Sequence, residues 1–115
     1  SSAASDVYKR QVNDERYAEA RAHSLLAARK SRRAAARNLR QKGLSAQQVA
    51  AALEAVYAPD EEGENPELSA AVALVESRYR PKLAMGRRDL VVAALQRRGF
   101  AYAVVKEAIK RVEEE

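Results

Sequence analysis

The sequence predicts an all-α protein made of two tandem three-helix repeats, elongated and joined by a short acidic linker. Three observations predict this fold class. The chain of 115 residues is rich in helix-favouring side chains and holds only four Gly and three Pro. Apolar residues recur at helical spacing. Finally, the stretches "LRQKGLSAQQVAAALEAV" and "LQRRGFAYAVVKEAIKRV" align with each other, which is typical of a repeat protein.

The first repeat is predicted over residues 12–58, and its first helix over about residues 14–28. Asn13 is expected to cap that helix, with Asp14 and Glu15 in the first turn, where the helix dipole favours acids. The side chains expected to face the core are Tyr17, Ala20, Ser24, Leu25 and Ala28.

Two further helices complete the first repeat. Ser31 is a suitable cap for a helix over about residues 32–41, and Gly43 follows it where a left-handed backbone favours glycine. Ser45 and Gln48 have the spacing of a capping box for the third helix, which ends near residues 57–59. The residues expected to face inward are Ala35, Ala36, Leu39, Val49, Ala52, Leu53 and Val56.

The acidic linker "PDEEGEN" covers residues 59–65, and the second repeat is predicted over residues 66–115. Asn65 as cap and Pro66 at the first helical position mark the start of its first helix. Pro81 is expected to interrupt this helix, because the residue before a proline disfavours helical geometry. The predicted apolar stripe is Leu68, Ala71, Val72, Val75 and Tyr79.

The last two helices repeat the pattern of the first unit. A helix is predicted over about residues 87–98, followed by Gly99 as the counterpart of Gly43. Phe100 matches Leu44, and each is expected to pack beneath its turn. The inward-facing residues are predicted to be Val91, Ala94, Leu95, Val105, Ala108, Ile109 and Val112.

Residues 1–11 do not share the character of the rest of the chain. The sequence "DVYKRQ" resembles a translated sequencing adaptor, which predicts that this segment is non-native and that the natural sequence upstream of Val12 is missing. These residues therefore do not enter the prediction of fold or function.

The residue types needed for catalysis or metal binding are scarce. The chain has no Cys, one histidine (His23) and no glycine-rich phosphate loop. We therefore expect no catalytic residues, no metal, no cofactor and no small-molecule substrate. No apolar run reaches the roughly 18 residues that a membrane-spanning helix requires, so no membrane contact is expected.

The basic residues are the candidate binding residues. The net charge is +5, and the stretch 29–42 contains only positive charges. Such a distribution is typical of proteins that bind a polyanion or an acidic protein surface. Solvent-exposed helices without a partner also carry such charges. The candidates are Arg32, Arg33, Arg37, Arg40, Lys42, Arg87, Arg88, Arg97 and Arg98.

The motifs "NDERYAEA", "LRQKGLS" and "LQRRGFAY" at this spacing resemble the RecX regulatory proteins of bacteria. The resemblance extends from about Val12 to the end of the chain. Ala101 stands where the family has a serine, so the last helix lacks the cap that Ser45 gives its counterpart. Family members generally have three such repeats, and this chain resembles the second and third, with the first expected to be absent.

The resemblance implies a monomeric cytoplasmic protein of bacteria that binds the RecA nucleoprotein filament. It implies inhibition of strand exchange, ATP hydrolysis and co-protease activity, and hence regulation of DNA recombination, DNA repair and the SOS response. The basic residues also leave open contacts with DNA phosphates. Two alternatives are a stand-alone basic helical DNA-binding module and a generic helical adaptor. Base readout is not expected, because the third helix has no basic residue.

Overall fold

The computed structural model describes the backbone of residues 2–115 and the side chains of residues 14–115. The prediction that residues 1–11 are non-native stays a prediction, because the side chains of these residues lie outside the described part of the chain. Within the described part the chain is helical and has no strand. The helices are α1 (Ser2–Ala27), α2 (Arg32–Gln41), α3 (Ala46–Tyr57), α4 (Pro66–Leu74), α5 (Arg80–Ala84), α6 (Arg88–Arg97) and α7 (Tyr102–Glu113), with a π-helical turn at Val75–Tyr79. The predicted all-α fold class is confirmed.

The first three helices form the first unit around one apolar core. The predicted inward faces of α2 and α3 are confirmed, since Leu39 is fully buried and Ala36 lies at the edge of the cluster. Tyr57 joins this core at the end of α3. The buried residues of the unit are Ala18, Ala22, Leu25, Ala35, Leu39, Leu44, Val49, Ala52, Leu53, Val56 and Tyr57.

The predicted apolar stripe of α1 is wrong except at Leu25. The side chain of Tyr17 is 45 % exposed, and Ala20, Ser24 and Ala28 are exposed as well. The buried stripe is Ala18, Ala22 and Leu25. These residues also have helical spacing, and their small alanines allow α1 to lie close against α3, which leaves no room for a tyrosine in the contact.

The predicted start of α1 is also wrong. The helix begins at Ser2 and runs through position 13, so Asn13 lies within a helix and does not precede one. The sequence explains the difference, because residues 2–13 contain no Gly or Pro that would end a helix.

The remaining helices form the second unit around a second core. The predicted inward residues of α6 and α7 are confirmed, with Ala94 half-buried. Val72 and Tyr79 pack at the edge of this core. The buried residues are Leu68, Ala70, Ala71, Leu74, Val75, Val91, Leu95, Phe100, Val105, Ala108, Ile109 and Val112.

The helix is interrupted just before Pro81 as expected, but the residue that leaves helical geometry is Tyr79 and not Arg80. The backbone stays helical at Arg80 (φ −54°, ψ −44°) after the π-helical turn. Tyr79 departs from helical geometry (φ −116°, ψ 0°), and the chain begins a new helix there with Pro81 in the first turn. Proline is tolerated at that position because its missing N–H group would have no partner in the helix.

Side-chain caps begin three of the helices as predicted. The Ser31 hydroxyl accepts from the Ala34 N–H group, and Ser45 and Gln48 form the reciprocal capping box of α3. Asn65 caps α4. Helix α7 begins after Ala101 without a side-chain cap.

Gly43 and Gly99 have the same backbone role and different surroundings. Both have left-handed φ angles, +90° and +98°, and both are followed by an N–H group that bonds back into the preceding helix, from Leu44 to Leu39 and from Phe100 to Leu95. A Cβ atom added at Gly43 would meet nothing within 4 Å, whereas one at Gly99 would lie 2.7 Å from the Ser31 Oγ atom. The second glycine turn therefore packs against the first unit.

We call the contact of Ser31 with Arg98 and Gly99 the joint. It is one of several contacts between the units, since α4 also packs on α1 and α3. Ser31 is fully buried. Its hydroxyl accepts from the Ala34 N–H group at 3.0 Å and donates to the Arg98 carbonyl at 2.9 Å. The carboxyl end of α6 thus meets the amino end of α2, where the partial charges of the two helix dipoles are opposite in sign.

The turn that carries Ser31 is held from two sides. Arg29 has a positive φ of 62° although it is not a glycine, a geometry that costs about 1–2 kcal/mol. The Lys30 N–H group donates to the Leu25 carbonyl at 2.9 Å. The Tyr57 hydroxyl donates to the Lys30 carbonyl at 2.9 Å, so the core of the first unit fixes the turn.

The molecule is longer in one direction than in the other two. The principal extents are 65 × 29 × 19 Å and the radius of gyration is 17.1 Å, against about 13 Å for a compact domain of 100 residues. Leu26 of α1 packs at the edge of both cores. The predicted elongated arrangement of two repeats is confirmed.

We expect Leu95→Ala to lower the free energy of unfolding by about 2–5 kcal/mol, because Leu95 is fully buried and its truncation leaves a cavity. Leu39→Ala should do the same in the first unit. Leu90→Ala is the matched control, since Leu90 lies on the same helix as Leu95 and is 37 % exposed. Urea unfolding measures all three, and equal losses for Leu90 and Leu95 would contradict the observed helix phase.

We expect Gly99→Ala to destabilise the protein more than Gly43→Ala. Both substitutions place a side chain at a positive φ angle, which costs about 1–2 kcal/mol. Only the former also meets the Ser31 Oγ atom, an overpacking that typically costs a further 1–3 kcal/mol or so. Thermal unfolding compares the two variants, and equal shifts would show that the joint does not close around Gly99.

Candidate functional site

Three of the nine predicted binding residues are paired with acids. Arg87 lies 3.1 Å from Asp89, Arg88 lies 3.1 Å from Glu113, and Arg32 lies 3.7 Å from Glu54, measured between guanidinium nitrogens and carboxylate oxygens. Asp89 raises the pKa of Arg87, chiefly through the hydrogen bond between them. These exposed pairs add little stability, but they place negative charge beside each arginine and weaken its attraction for an anionic partner.

Four other predicted residues come together at the joint. Arg33 and Arg37 of α2 line a small hollow of about 100 Å³ together with Arg97 and Arg98 at the end of α6. An adjoining hollow of about 250 Å³ shares Arg37, Arg97 and Arg98 and adds Lys30. We call the two hollows together the joint groove, defined by its five cations Lys30, Arg33, Arg37, Arg97 and Arg98. No carboxylate lines it among the side chains that the structure describes.

One cation of the joint groove is held in place. Arg98 is half-buried, and its Nε atom donates to the Tyr79 hydroxyl at 3.2 Å. Its carbonyl oxygen accepts from Ser31. The backbone and the side chain of Arg98 are thus each held by a hydrogen bond.

Arg40 and Lys42 lie apart from the joint groove. Both are exposed, at the last turn and the C-cap of α2, and neither lines the groove. The nine predicted residues therefore do not form one surface. They divide into a cluster at the joint, a pair at the end of α2, and three arginines with acidic neighbours.

Sequence reasoning missed Lys30 as a groove residue. It lies in the positively charged stretch 29–42, but nothing in its spacing distinguishes it from a solvated lysine. Its place depends on the turn between α1 and α2 and on the approach of the second unit, which are properties of the tertiary structure.

A further hollow of mixed polarity borders the joint. It has a volume of about 410 Å³ and shares Arg33 and Gly99 with the joint groove. Its other lining residues include Arg32, Leu53, Glu67 and Phe100. Burial raises the pKa of Glu67, and this is partly offset by Arg32, whose backbone N–H group donates to the Glu67 carboxylate at 3.4 Å. Burial, and to a lesser degree the charge of Glu67, raises the pKa of Tyr57 to about 12.

No catalytic arrangement is seen in the described part of the chain. His23 is exposed on α1, and no group of His, Asp and Glu side chains from residues 14–115 could hold a metal ion. Among the described residues, no helix is both long and apolar enough to cross a membrane.

Comparison with known proteins identifies the family. A family described as "RecX, second three-helix domain" matches residues 13–53, which run from α1 to the middle of α3. A protein named Regulatory protein RecX, from Myxococcus xanthus (strain DK1622), is 35 % identical over 99 residues, covering 85 % of this chain. The chain belongs to the RecX family. It spans about half the length of this RecX relative, 53 %, and no solved structure matches it.

The family match also shows which domain of RecX the first unit corresponds to. Helices α1–α3 correspond to the second three-helix domain of the family. The similarity to the M. xanthus protein extends over 99 residues, more than twice the length of that domain match, so it includes part of the second unit.

We expect the stabilising effect of Tyr57 to decrease as the pH rises above 10. Because its pKa in the folded protein is about 12 against an ordinary value of 10, the unfolded chain loses the phenolic proton first, and raising the pH favours unfolding. At neutral pH, Tyr57→Phe should cost about 0.5–1.5 kcal/mol, since the hydrogen bond to Lys30 is lost.

The measurement is the free energy of urea unfolding at pH 8 and pH 11. The difference between the wild type and Tyr57→Phe should narrow at the higher pH. Tyr102→Phe is the control, because Tyr102 is exposed. A difference that stays constant or widens for Tyr57→Phe would contradict the raised pKa.

Proposed function

We propose that this chain binds the RecA nucleoprotein filament and restrains its activity in DNA recombination and repair. The observation that carries the proposal is the 35 % identity to Regulatory protein RecX over 85 % of the chain. A regulator of this kind works by binding alone. The cationic joint groove and the lack of a catalytic arrangement among the described residues are consistent with that mode of action.

The shape of the molecule suits a polymeric partner. Two units on one body are able to contact neighbouring subunits of a filament. Once one unit is bound, the other acts at a high effective concentration, so two weak contacts together give useful affinity. The closed joint reduces the entropy that binding would cost, because the units are already ordered relative to each other. Bridged subunits would then be hindered in the rearrangements that strand exchange and ATP hydrolysis require.

The nine basic residues remain our proposed contact residues, with unequal weight. None of the five cations of the joint groove takes part in a salt bridge among the described side chains, so we propose the groove as the main contact. Arg40 and Lys42 extend the same positive side along α2. We further propose that the chain acts as a monomer, without a cofactor, in the bacterial cytoplasm where RecA assembles on DNA.

We expect the triple variant Arg33→Glu, Arg37→Glu, Arg40→Glu to lose at least about tenfold in affinity for RecA filaments, because three attractive contacts become repulsive. The measurements are co-sedimentation with RecA on single-stranded DNA and inhibition of its ATP hydrolysis. The control triple is Lys82→Glu, Lys106→Glu, Lys110→Glu, which changes the net charge equally at exposed positions outside the groove.

Equal losses in the two triple variants would show that net charge alone decides binding and would reject α2 as the contact. Titration of the wild type against bare and RecA-coated single-stranded DNA at several salt concentrations tests the alternative. A stand-alone DNA-binding module should bind bare DNA as tightly as coated DNA, with a steep salt dependence.

A further inference from the structure

We propose that the joint groove is a composite site for the phosphodiester backbone of single-stranded nucleic acid. Lys30, Arg33 and Arg37 come from the first unit, and Arg97 and Arg98 come from the second. Neither unit holds the site alone. The inference deepens the function proposed above and rests on it for its biological meaning, but it is tested on nucleic acid without RecA.

The charge of the groove favours a polyanion. Five cations line two adjoining hollows of about 100 and 250 Å³, and no carboxylate is among the described side chains that line them. Three arginines outside the groove, Arg32, Arg87 and Arg88, have acids at 3.1–3.7 Å. The partial positive charge at the start of α2 and the partial negative charge at the end of α6 lie together beneath the groove and offset each other. The cationic side chains therefore determine the electrostatic potential of the groove. A chain of phosphates supplies one negative charge per nucleotide.

The residue types in the groove indicate which part of a nucleic acid it would contact. Guanidinium groups match phosphate oxygens in two parallel hydrogen bonds. No aromatic ring lines either hollow among the described side chains, so there is no surface for stacking bases. Binding would be independent of sequence. A single strand can place successive phosphates along the two hollows.

The geometry of the site depends on the joint. The Ser31 hydroxyl holds the Arg98 carbonyl at 2.9 Å, and Tyr79 holds the Arg98 Nε atom at 3.2 Å. Gly99 allows the close approach, because any Cβ atom there would lie 2.7 Å from the Ser31 Oγ atom. Opening the joint would separate Arg97 and Arg98 from the cations of the first unit. Ser31 and Gly99 are therefore positioning residues of the site.

The first test is fluorescence anisotropy of a short labelled oligothymidylate, titrated with protein at several salt concentrations. The double variant Arg33→Ala, Arg97→Ala removes one cation from each unit. We expect about tenfold weaker binding, and a salt slope reduced by about 1.4 if each arginine neutralises one phosphate. The control Arg87→Ala, Arg88→Ala removes the same charge from two arginines that have acidic partners.

For the control, the affinity should change less than about threefold and the salt slope should be unchanged. Equal effects of the two double variants would overturn the proposal. A glutamate-rich peptide or duplex DNA, added at the same charge concentration as the oligothymidylate, should not displace it. Displacement by either would also overturn it, since the groove would then be a site for an acidic protein or for a duplex.

The second test concerns the joint. Ser31→Ala and Ser45→Ala each remove a helix N-cap, but only the former removes the bond to Arg98. With helicity checked by circular dichroism, Ser31→Ala should weaken oligothymidylate binding and Ser45→Ala should not. Equal affinities would show that the site does not depend on the joint. If the wild-type protein binds oligothymidylate but does not bind RecA filaments, the proposed function is rejected and this inference stands.

Discussion

The buried hydroxyl of Ser31 joins the end of α6 to the start of α2. It caps α2 through the Ala34 N–H group and donates to the carbonyl of Arg98, the C-cap residue of α6. This polar contact adds to the apolar packing between the units, in which Leu26 lies at the edge of both cores. If this hydroxyl had no partner, its burial would cost free energy. With both bonds made, it aligns α6 with α2 and brings the arginines of two helices to one place.

Much of the fold follows from local sequence signals. The caps at Ser31, Ser45 and Asn65, the glycine turns, and the stripes of α2, α3, α6 and α7 were all predicted because each rests on residues within one or two helical turns. The stripe of α1 was not, because two alternative faces of that helix carry alanine and only the packing against α3 selects Ala18 and Ala22. The helical geometry around Pro81 was missed because a π-helical turn has no clear sequence signal.

The sequence predicted which types of residue form the candidate site, but it did not predict where in the structure they come together. Arginines at helical spacing are visible in the sequence, but their pairing depends on partners far along the chain, such as Arg88 with Glu113 and Arg32 with Glu54. The convergence of Arg33 and Arg97 depends on Gly99 lying against Ser31. Gly43 and Gly99 occupy equivalent positions in the two repeats of the sequence. Only the tertiary structure shows that Gly99 lies against Ser31 and that Gly43 has no such neighbour.

The missing cap of α7 makes the two copies of the repeat unequal in a way that matters for motion. In α3, the reciprocal bonds of Ser45 and Gln48 occupy amide hydrogens of the first turn, whereas Ala101 offers no side-chain acceptor to α7. Local opening is easiest where backbone groups lack partners. Fraying should therefore begin at residues 102–104, next to the glycine turn that touches the first unit. The first turn of α7 is thus the least stable part of the second repeat. Transient unwinding of this turn would weaken the contact between the units while both cores stay folded.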